Sequence, residues 1–333
     1  MSLARCAVAA VSVSCWLSTS ASIRGRVASV VPCISRGISQ ACATNNLSNM
    51  YIAEERGSLY SPDYRVYFRD ESGPISPVHD IPLWADKEKK LVNMIVEVPR
   101  WSNAKMEISM TETLNPIKQD IKKGALRFVA NVFPHHGYIW NYGAVPQTWE
   151  SPKHIHPDTQ ARGDNDPIDV IEVGSKVRAR GEVVPVKIIG VLAMLDEGET
   201  DWKLIAIAAD DPDAAQVNDL DDLRRARPGL LRATTEWFRL YKVPDGKPEN
   251  KFAFDGQPKD AAYAHKILEE VHAEWRGLVS GGGGDLAVAG VSVAAGGSLT
   301  RAAAAALLAA QPPRAAAQPL PASVDKWHYL SNL

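Results

Sequence analysis

The chain has 333 residues and a mass of 36.2 kDa, a length that allows one large domain with tails. Hydrophobic residues make up 45% and charged residues 23% of it, which is ordinary for a folded protein and excludes wholesale disorder. The formal net charge of -2 argues against a nucleic-acid partner, and the absence of an apolar run of ~20 residues argues against a membrane-spanning helix.

The first 53 residues differ in composition from the rest of the chain. They contain four arginines, no lysine and no acidic residue, together with all four cysteines (Cys6, Cys15, Cys33, Cys42). Residues 54–333 carry 33 basic against 39 acidic side chains, a net charge of -6. A basic, Ser- and Ala-rich segment without acids is typical of an organelle transit peptide, which we predict for residues 1–53. A secretory signal is the alternative, because residues 6–17 form a modest apolar stretch.

The body, residues 54–278, is predicted to contain strands first and helices after them. Apolar or alternating runs predict strands at 91–98, 105–110, 168–173, 183–192 and 203–208. Apolar residues at helical spacing predict helices at 220–227, 230–241 and 259–278. This order indicates an α+β protein that is mainly β and contains a small barrel.

Two acidic clusters in the body indicate a metal site. The first, Asp164-Asn-Asp-Pro-Ile-Asp169, adjoins an apolar strand, and Pro167 biases Asp166 towards an extended backbone. The second, residues 196–201, is a glycine-bearing turn between strands. Clustered carboxylates repel one another unless cations neutralise them, and Mg²⁺ prefers such oxygen ligands. An EF-hand is excluded, because Asp169 stands where that loop needs glycine.

Isolated cations and phenols accompany these acids. A guanidinium beside a core strand, as at Arg127, offers a fork of donors that suits phosphate oxygens. The loop at 133–143 also carries His135 and His136, which lack an HExxH motif or a cysteine partner and are therefore predicted to be structural. The groups that accompany the acids are Lys105, Arg127, Lys203, Tyr241 and Lys242, together with Tyr138 and Tyr142 in that loop.

The C-terminal part has a different composition again. Residues 279–322 are rich in Gly, Ala and Pro and are predicted to be a flexible linker. Gly281–Gly284 could suggest a phosphate loop, but no Lys-Ser or Lys-Thr pair follows them. The closing peptide, 323–333, contains Trp327 and Tyr329, so two states stay open: an end docked on the body through these aromatics, or a disordered terminus.

The segment Asp164-Asn-Asp-Pro-Ile-Asp-Val-Ile171 matches the signature of the family I soluble inorganic pyrophosphatases, and the chain closely resembles the eukaryotic type of that family. The resemblance spans about residues 60–278. It implies a five-stranded closed barrel of OB type with flanking helices, and hydrolysis of diphosphate to two phosphates. Further agreement lies at 97–107, 115–120, 126–128, 133–143, 195–203 and 228–254.

The resemblance also implies a role for each matching residue. Asp166 would accept the proton of an attacking water that bridges two metal ions, and Tyr138 would be the proton donor. It implies about three or four Mg²⁺ ions per site, which fits an ion that keeps several waters and uses few carboxylates. The implied substrate-binding residues are Lys105, Arg127, Tyr142, Lys203, Tyr241 and Lys242. The implied metal-binding residues are Glu97, Glu107, Asp120, Asp164, Asp169, Asp196 and Asp201.

Two other functions remain as alternatives. The first is an OB-type nucleic-acid binder, which the acidic body disfavours. The second is a broader metal-dependent phosphatase, which would also release phosphate from a sugar phosphate or a nucleotide. Members of the eukaryotic type are commonly homodimers, so the resemblance makes a homodimer possible; the alternative is that the long C-terminal tail covers or replaces the interface. The peptide Ser323-Val-Asp-Lys-Trp327 resembles the ends of plastid members, which favours the chloroplast stroma, with the mitochondrion as the alternative.

Overall fold

The computed structural model describes residues 50–282, Leu286 and residues 299–330. The predicted transit peptide therefore lies outside the described residues except for its last four positions. The first strand begins at Ile52, two residues before the predicted start of the body. Within the described part of the chain, no helix is both long enough and apolar enough to cross a membrane.

The described residues form 18 strands and four α-helices. The strands are β1 (Ile52–Arg56), β2 (Arg65–Asp70), β3 (Gly73–Ile75), β4 (Trp84–Asp86), β5 (Leu91–Val98), β6 (Met106–Ile108), β7 (Ile117–Gln119), β8 (Ile121–Lys122), β9 (Ala125–Leu126), β10 (Asn131–Val132), β11 (Asn141–Ala144), β12 (Arg162–Gly163), β13 (Asp169–Glu172), β14 (Val183–Asp196), β15 (Glu199–Ala208), β16 (Lys251–Phe252), β17 (Lys259–Asp260) and β18 (Trp327–His328). The helices are α1 (Leu220–Ala226), α2 (Leu230–Leu240), α3 (Ala261–Gly277) and α4 (Arg301–Ala309).

Five of the strands form a ring of hydrogen-bonded neighbours. β5 pairs antiparallel with both β11 and β14, and β11 pairs antiparallel with β13. β13 runs parallel to β15, which returns antiparallel to β14 and so completes the ring. Four of the predicted strands are confirmed as β5, β13, β14 and β15, whereas the prediction at 105–110 corresponds to the shorter β6 in a second sheet with β1, β2, β3 and β7.

The strands of the ring are buried on both faces, which explains their nearly continuous apolar sequences. Met94 and Leu204 belong to one hydrophobic cluster, whereas the next residues along each strand, Ile95 and Ile205, belong to another. Gly143 in β11 allows a close approach to β5, because a Cβ atom there would lie 1.9 Å from the Ile95 carbonyl oxygen.

The helices cover these two clusters. α1 and α2 pack through Leu223 and Phe238 on the cluster that contains Ile95 and Ile205. α3 packs through Ile267 and Leu268 on the cluster that contains Met94 and Leu204. The sequence sets where α1 begins, because the Asp219 side chain accepts a hydrogen bond from the first turn. The three predicted helices are confirmed, with ends that differ by one or two residues.

The C-terminal part departs from the prediction of a flexible linker over 279–322. It contains α4, in which Ala304 and Leu308 pack against Tyr67 and Leu114. Alanine favours helix, and two buried positions four residues apart are enough to attach one face to the body. The sequence did not indicate this contact, because almost every residue of the segment is small and no clear apolar face is visible.

The closing peptide runs along the body beyond α4. The Ala315 N–H donates to the Gly57 carbonyl over 2.9 Å, and β18 then pairs in parallel with β10. Trp327 and Tyr329 lie against Phe133, with ring centroids 6.1 and 5.4 Å from it. Of the two states left open by the sequence, residues 323–330 adopt the docked one.

Candidate active site

A tight loop before β13 positions the first acidic cluster. Asn165 adopts a left-handed conformation with φ of 76°, which asparagine tolerates better than most residues. The Asn165 N–H donates to the Glu150 carbonyl at 2.9 Å, and the Glu150 N–H donates to the Asp166 carbonyl at 2.8 Å. The Trp149 indole N–H also donates to the Asn165 carbonyl, at 3.2 Å. The loop therefore holds its carboxylates on a fixed backbone.

The acids and cations of the prediction meet in one cavity of about 220 Å³. Its walls come from β5, β6, the acidic loop, β13, the hairpin of β14 and β15, and the C-terminal end of α2. The predicted residues that line it are Glu97, Lys105, Glu107, Arg127, Tyr142, Asp164, Asp166, Asp169, Asp196, Asp201, Lys203, Tyr241 and Lys242. Tyr138 and Asp120, also predicted, lie behind this wall and contact residues that form it.

Lys203 neutralises part of the acidic cluster. Its ammonium group forms ion pairs with Asp169 and Asp201 and lies 3.3 Å from the Tyr142 hydroxyl. Burial alone would lower the pKa of Lys203, but the two carboxylates hold it well above the usual value. Lys203 therefore stays charged inside a buried site.

If all the clustered acids were ionised, they would carry more negative charge than the local cations balance, and the pKa values of several are therefore raised. Burial, together with Asp166 and Asp169, raises the pKa of Asp164 to about 8. Burial and the charge of Glu107 raise the pKa of Asp166 to about 7. Burial also raises the pKa of Asp201 well above its ordinary range. A bound cation would remove this repulsion and restore the ionised carboxylates.

Glu150 is a site residue that sequence reasoning missed. Its carboxylate and those of Asp164 and Asp201 offer oxygen atoms that all lie within 4.8 Å of one another. One oxygen accepts the Trp202 N–H at 3.1 Å, while the buried Oε2 has no hydrogen-bond partner among the described residues. A buried carboxylate oxygen without a donor, beside two further carboxylates, fits a hard divalent cation. Glu150 stands alone between Trp149 and Ser151, so no acidic pattern marked it.

Cations line another part of the cavity. The Arg127 guanidinium is held by Asp120, with 3.0 Å between Nη1 and Oδ2, and Lys105 pairs with Glu107. Asp120 also lies 3.9 Å from the Lys105 ammonium. Asp120 therefore orients two cations instead of lining the cavity itself. Across the site, Lys242 forms an ion pair with Asp196.

Three tyrosines lie together beside the cations. Tyr138 and Tyr142 have ring centroids 5.1 Å apart, and burial raises the pKa of Tyr138 to about 12. Burial and the charge of Asp196 also raise the pKa of Tyr241. A phenol is protonated at neutral pH even at its ordinary pKa, so all three can donate hydrogen bonds. A cavity that combines clustered carboxylates, fixed cations and phenols has the groups needed to hold a phosphate chain and metal ions together.

Comparison with known proteins identifies the family of this chain. Residues 94–276 match the sequence profile of the family described as "Inorganic pyrophosphatase". Inorganic pyrophosphatase 1 of Caenorhabditis elegans is 56% identical over 283 residues, which cover 85% of this chain and 66% of the worm protein. The chain belongs to the inorganic pyrophosphatase family. The inorganic pyrophosphatase of Yarrowia lipolytica is 53% identical over 282 residues, or 84% of this chain and 98% of the fungal protein.

A solved structure of a family member has the same fold. The inorganic pyrophosphatase of Schistosoma japonicum superposes with a TM-score of 0.80 at 46% identity, over 84% of this chain and 100% of that one. These animal and fungal relatives identify the chain as a family I pyrophosphatase of the eukaryotic type. The pyrophosphatase fold, mainly β with some helices, is confirmed.

Proposed function

We propose that this pyrophosphatase hydrolyses inorganic diphosphate to two phosphate ions with Mg²⁺ as its metal. Membership of the family supports the reaction. The observation that carries the metal requirement is the group formed by Glu150, Asp164 and Asp201, whose oxygens lie within 4.8 Å of one another. Mg²⁺ is favoured over softer metals because the donors are carboxylates, without a thiolate or an imidazole among them.

The metal-binding residues would be the carboxylates that face the cavity. Asp164, Asp169 and Asp201 would hold the ions present before substrate, and Asp196 with Asp201 would hold metal that enters with diphosphate. Glu97, Glu107 and Asp120 complete the acidic lining or orient its cations. About three or four Mg²⁺ ions are proposed per site, which when bound would offset carboxylate and phosphate charge and acidify the attacking water.

The cationic and phenolic groups would bind the two phosphoryl groups of the substrate. Arg127 is held by Asp120 with its guanidinium towards the cavity, so its orientation is fixed before substrate arrives. Lys105, Lys203 and Lys242 supply ammonium donors, and Tyr142 and Tyr241 supply hydroxyl donors. Fixed donors of this kind stabilise charge that moves to the leaving phosphate.

Asp166 is the proposed proton acceptor and Tyr138 the proposed proton donor. Asp166 lines the cavity, and bound metal would keep its carboxylate ionised and therefore able to accept a proton. Tyr138 is protonated at neutral pH, as a phenol ordinarily is, and burial raises its pKa further. Its ring packs on Tyr142, which lines the cavity, and its phenol interacts electrostatically with Lys105 and Arg127.

Release of phosphate tests this function directly. We expect rapid release from diphosphate with Mg²⁺, loss of activity in excess chelator and recovery when Mg²⁺ is restored. Ca²⁺ should fail to replace Mg²⁺, because the Ca²⁺ ion is larger and its coordination geometry is less regular. Full activity in excess chelator would refute the metal requirement. Equal rates with a sugar phosphate or a nucleotide would support a broader phosphatase instead.

We also propose that the ring of five strands is an OB-type closed barrel with flanking helices. Its support is the order in which the strands pair, β5–β14–β15–β13–β11 and back to β5. No nucleic-acid partner is proposed, because the body carries net negative charge. No membrane partner is proposed either.

A homodimer is the proposed assembly. Its support is a patch of exposed aromatic side chains formed by Phe133, Trp327 and Tyr329, which are 50, 37 and 75% exposed. Large exposed apolar groups that lie together are typical of contact surfaces, and a second copy would bury them in an isologous interface. Sedimentation of wild type and of Tyr329→Ser tests this, since the variant should shift the equilibrium towards monomer.

The proposed location is the chloroplast stroma, reached through a transit peptide at residues 1–53. Its support is the composition of that segment and the resemblance of residues 323–327 to plastid members. Fusion of residues 1–53 to a fluorescent protein tests the proposal in plant cells. Signal in mitochondria or in the secretory pathway would overturn it.

A further inference from the structure

One tryptophan contacts two of the three tyrosines of the site. Trp237 lies in the last turn of α2 and is 4% exposed. Its ring stacks on Tyr241, with centroids 4.8 Å apart and an angle of 9° between the planes. The same ring lies 4.9 Å from the ring of Tyr138 at an angle of 46°. Trp237 therefore fills the space between the proposed proton donor and a proposed phosphate ligand.

The indole nitrogen fixes the backbone next to Tyr138. It donates a hydrogen bond of 2.7 Å to the carbonyl of Gly137. Gly137 has φ of +52°, and a Cβ atom there would lie 2.5 Å from the Ser102 carbonyl oxygen. Residue 137 can adopt this positive φ because it is glycine. Glycine also has more conformational freedom than other residues, so the backbone at this position could adopt other conformations. The hydrogen bond from Trp237 restrains that freedom.

The hydroxyl groups of the two tyrosines depend on this packing for their positions. Among the described residues, neither the Tyr138 nor the Tyr241 hydroxyl forms a hydrogen bond with another protein group. The placement of each oxygen is therefore set by the contacts of its ring. Tyr241 is also tied to Trp237 through the backbone, because its N–H donates to the Trp237 carbonyl at 3.0 Å.

We propose that Trp237 is a positioning residue for diphosphate hydrolysis: it sets the distance between the Tyr138 and Tyr241 hydroxyls. This inference rests on the proposed roles of the two tyrosines. Small displacements of groups that bind a reacting phosphate lower the reaction rate, because catalysis depends on the position and orientation of these groups. Loss of the indole would shift both phenols together and leave the carboxylate cluster in place.

Two variants of Trp237 and one matched control test the proposal. Trp237→Phe and Trp237→Tyr remove the indole hydrogen bond but keep an aromatic ring. We expect each to lower kcat/KM by about 10- to 100-fold. Trp275→Phe is the control: Trp275 is also 4% exposed and donates its indole N–H, to His79 at 3.0 Å, but it lies in a separate cluster with Trp149 and Leu278. The control should lose comparable thermal stability and keep near wild-type kcat/KM.

A double-mutant cycle separates positioning from general destabilisation. Tyr138→Phe and Tyr241→Phe are each measured alone and in the Trp237→Phe background. If Trp237 acts through the tyrosines, each Tyr→Phe change costs a smaller factor in that background than in wild type. Equal factors in both backgrounds, or a rate loss in Trp275→Phe as large as that in Trp237→Phe, would overturn the proposal. If both single Tyr→Phe variants are fully active, the proposed roles of the two tyrosines are wrong, and so is this inference. If both variants are impaired but Trp237→Phe is fully active, only this inference is wrong.

Discussion

The backbone of Asp166 is held on both sides while its carboxyl group faces the cavity. Its carbonyl accepts from the Glu150 N–H at 2.8 Å, and its own N–H donates to Asp164 Oδ1 at 3.1 Å. Asp166→Asn keeps these bonds and the shape of the side chain but removes its basicity. We expect kcat to fall by about 10²- to 10⁴-fold while diphosphate binding is largely retained. Steady-state kinetics and equilibrium binding of diphosphate measure the two effects.

A control for this substitution is an aspartate outside the cavity. Asp221 is exposed in the first turn of α1 and pairs with Arg224. Asp221→Asn also removes one negative charge from the protein, yet it should leave turnover unchanged. Near-normal turnover in Asp166→Asn would contradict its role as the proton acceptor.

Glu150 provides a second test at the level of one residue. Glu150→Gln keeps an acceptor for the Trp202 N–H and removes a charge beside Asp164 and Asp201. If Glu150 supports metal binding, the Mg²⁺ concentration for half-maximal activity should rise by about 10- to 100-fold. Activity measured over a Mg²⁺ titration gives this value.

Glu172→Gln is the matched control for Glu150→Gln. Glu172 is a fully buried glutamate outside the cavity that accepts hydrogen bonds from Asn141 and Gly174. Its substitution should lower Tm without altering the Mg²⁺ requirement. An unchanged Mg²⁺ requirement in Glu150→Gln would assign that residue a structural role only.

The residues that sequence reasoning brought to the site share a property that Glu150 lacks. Asp164, Asp166 and Asp169 form a pattern within one segment, so their spacing and their resemblance to a family signature were visible. Glu150 joins Asp164 and Asp201 through the fold alone, because it lies on a separate loop that is hydrogen-bonded to the acidic one. Asp120 shows the opposite case: its place in the sequence indicated the site, but its role in orienting Arg127 required the structure.

At the scale of elements, α4 shows that a helix can pack on the body through only two buried residues, which leave little trace in the sequence pattern. Its attachment depends on Ala304 and Leu308, and an ion pair of 3.1 Å joins Arg301 to Asp70. We expect Ala304→Glu to detach the helix, because it places a charge against Tyr67 and Leu114, at a cost of about 1–3 kcal/mol in the free energy of unfolding. Thermal unfolding measures this loss, and hydrogen exchange locates it.

Ala305→Glu serves as the control in the same helix. Ala305 is exposed, so a glutamate there meets solvent and retains a high helix propensity. It should unfold at nearly the wild-type temperature. Equal destabilisation by both variants would mean that the contact at Ala304 does not hold α4 on the body.

The strands and helices of the body were more accessible to prediction than α4. Runs such as 91–98 and 203–208 are long and β-rich, and burial on both faces keeps them apolar throughout. Short pairings such as β10 with β18 could not be inferred, because each involves two residues that are far apart in the chain. The order of strands in the ring likewise depends on non-local hydrogen bonds that no local pattern records.

At the scale of the whole molecule, the C-terminal part connects the periphery with the loop that precedes Tyr138. The Asn131 side-chain amide donates to the Val324 carbonyl at 2.9 Å, while its oxygen accepts from the Gly137 N–H at 2.9 Å. The second bond does not involve the closing peptide. Removal of the peptide would therefore leave a restraint on Gly137 in place.

Truncation after Leu278 tests what the C-terminal part contributes. Every residue proposed to bind metal or substrate lies upstream of this point, so we expect kcat to be largely preserved. Tm should fall, because the truncation exposes Tyr67 and Leu114 and removes the pairing of β18 with β10. The dimer should also weaken, because Trp327 and Tyr329 contribute two of the exposed aromatics of its proposed interface.

A second truncation, after Pro321, keeps α4 and should retain more of the stability while it loses the same dimer contacts. Calorimetry, sedimentation and kinetics on both truncated proteins separate these effects. If either protein is folded and binds Mg²⁺ but is inactive, the closing peptide takes part in the active site and the expectation is wrong.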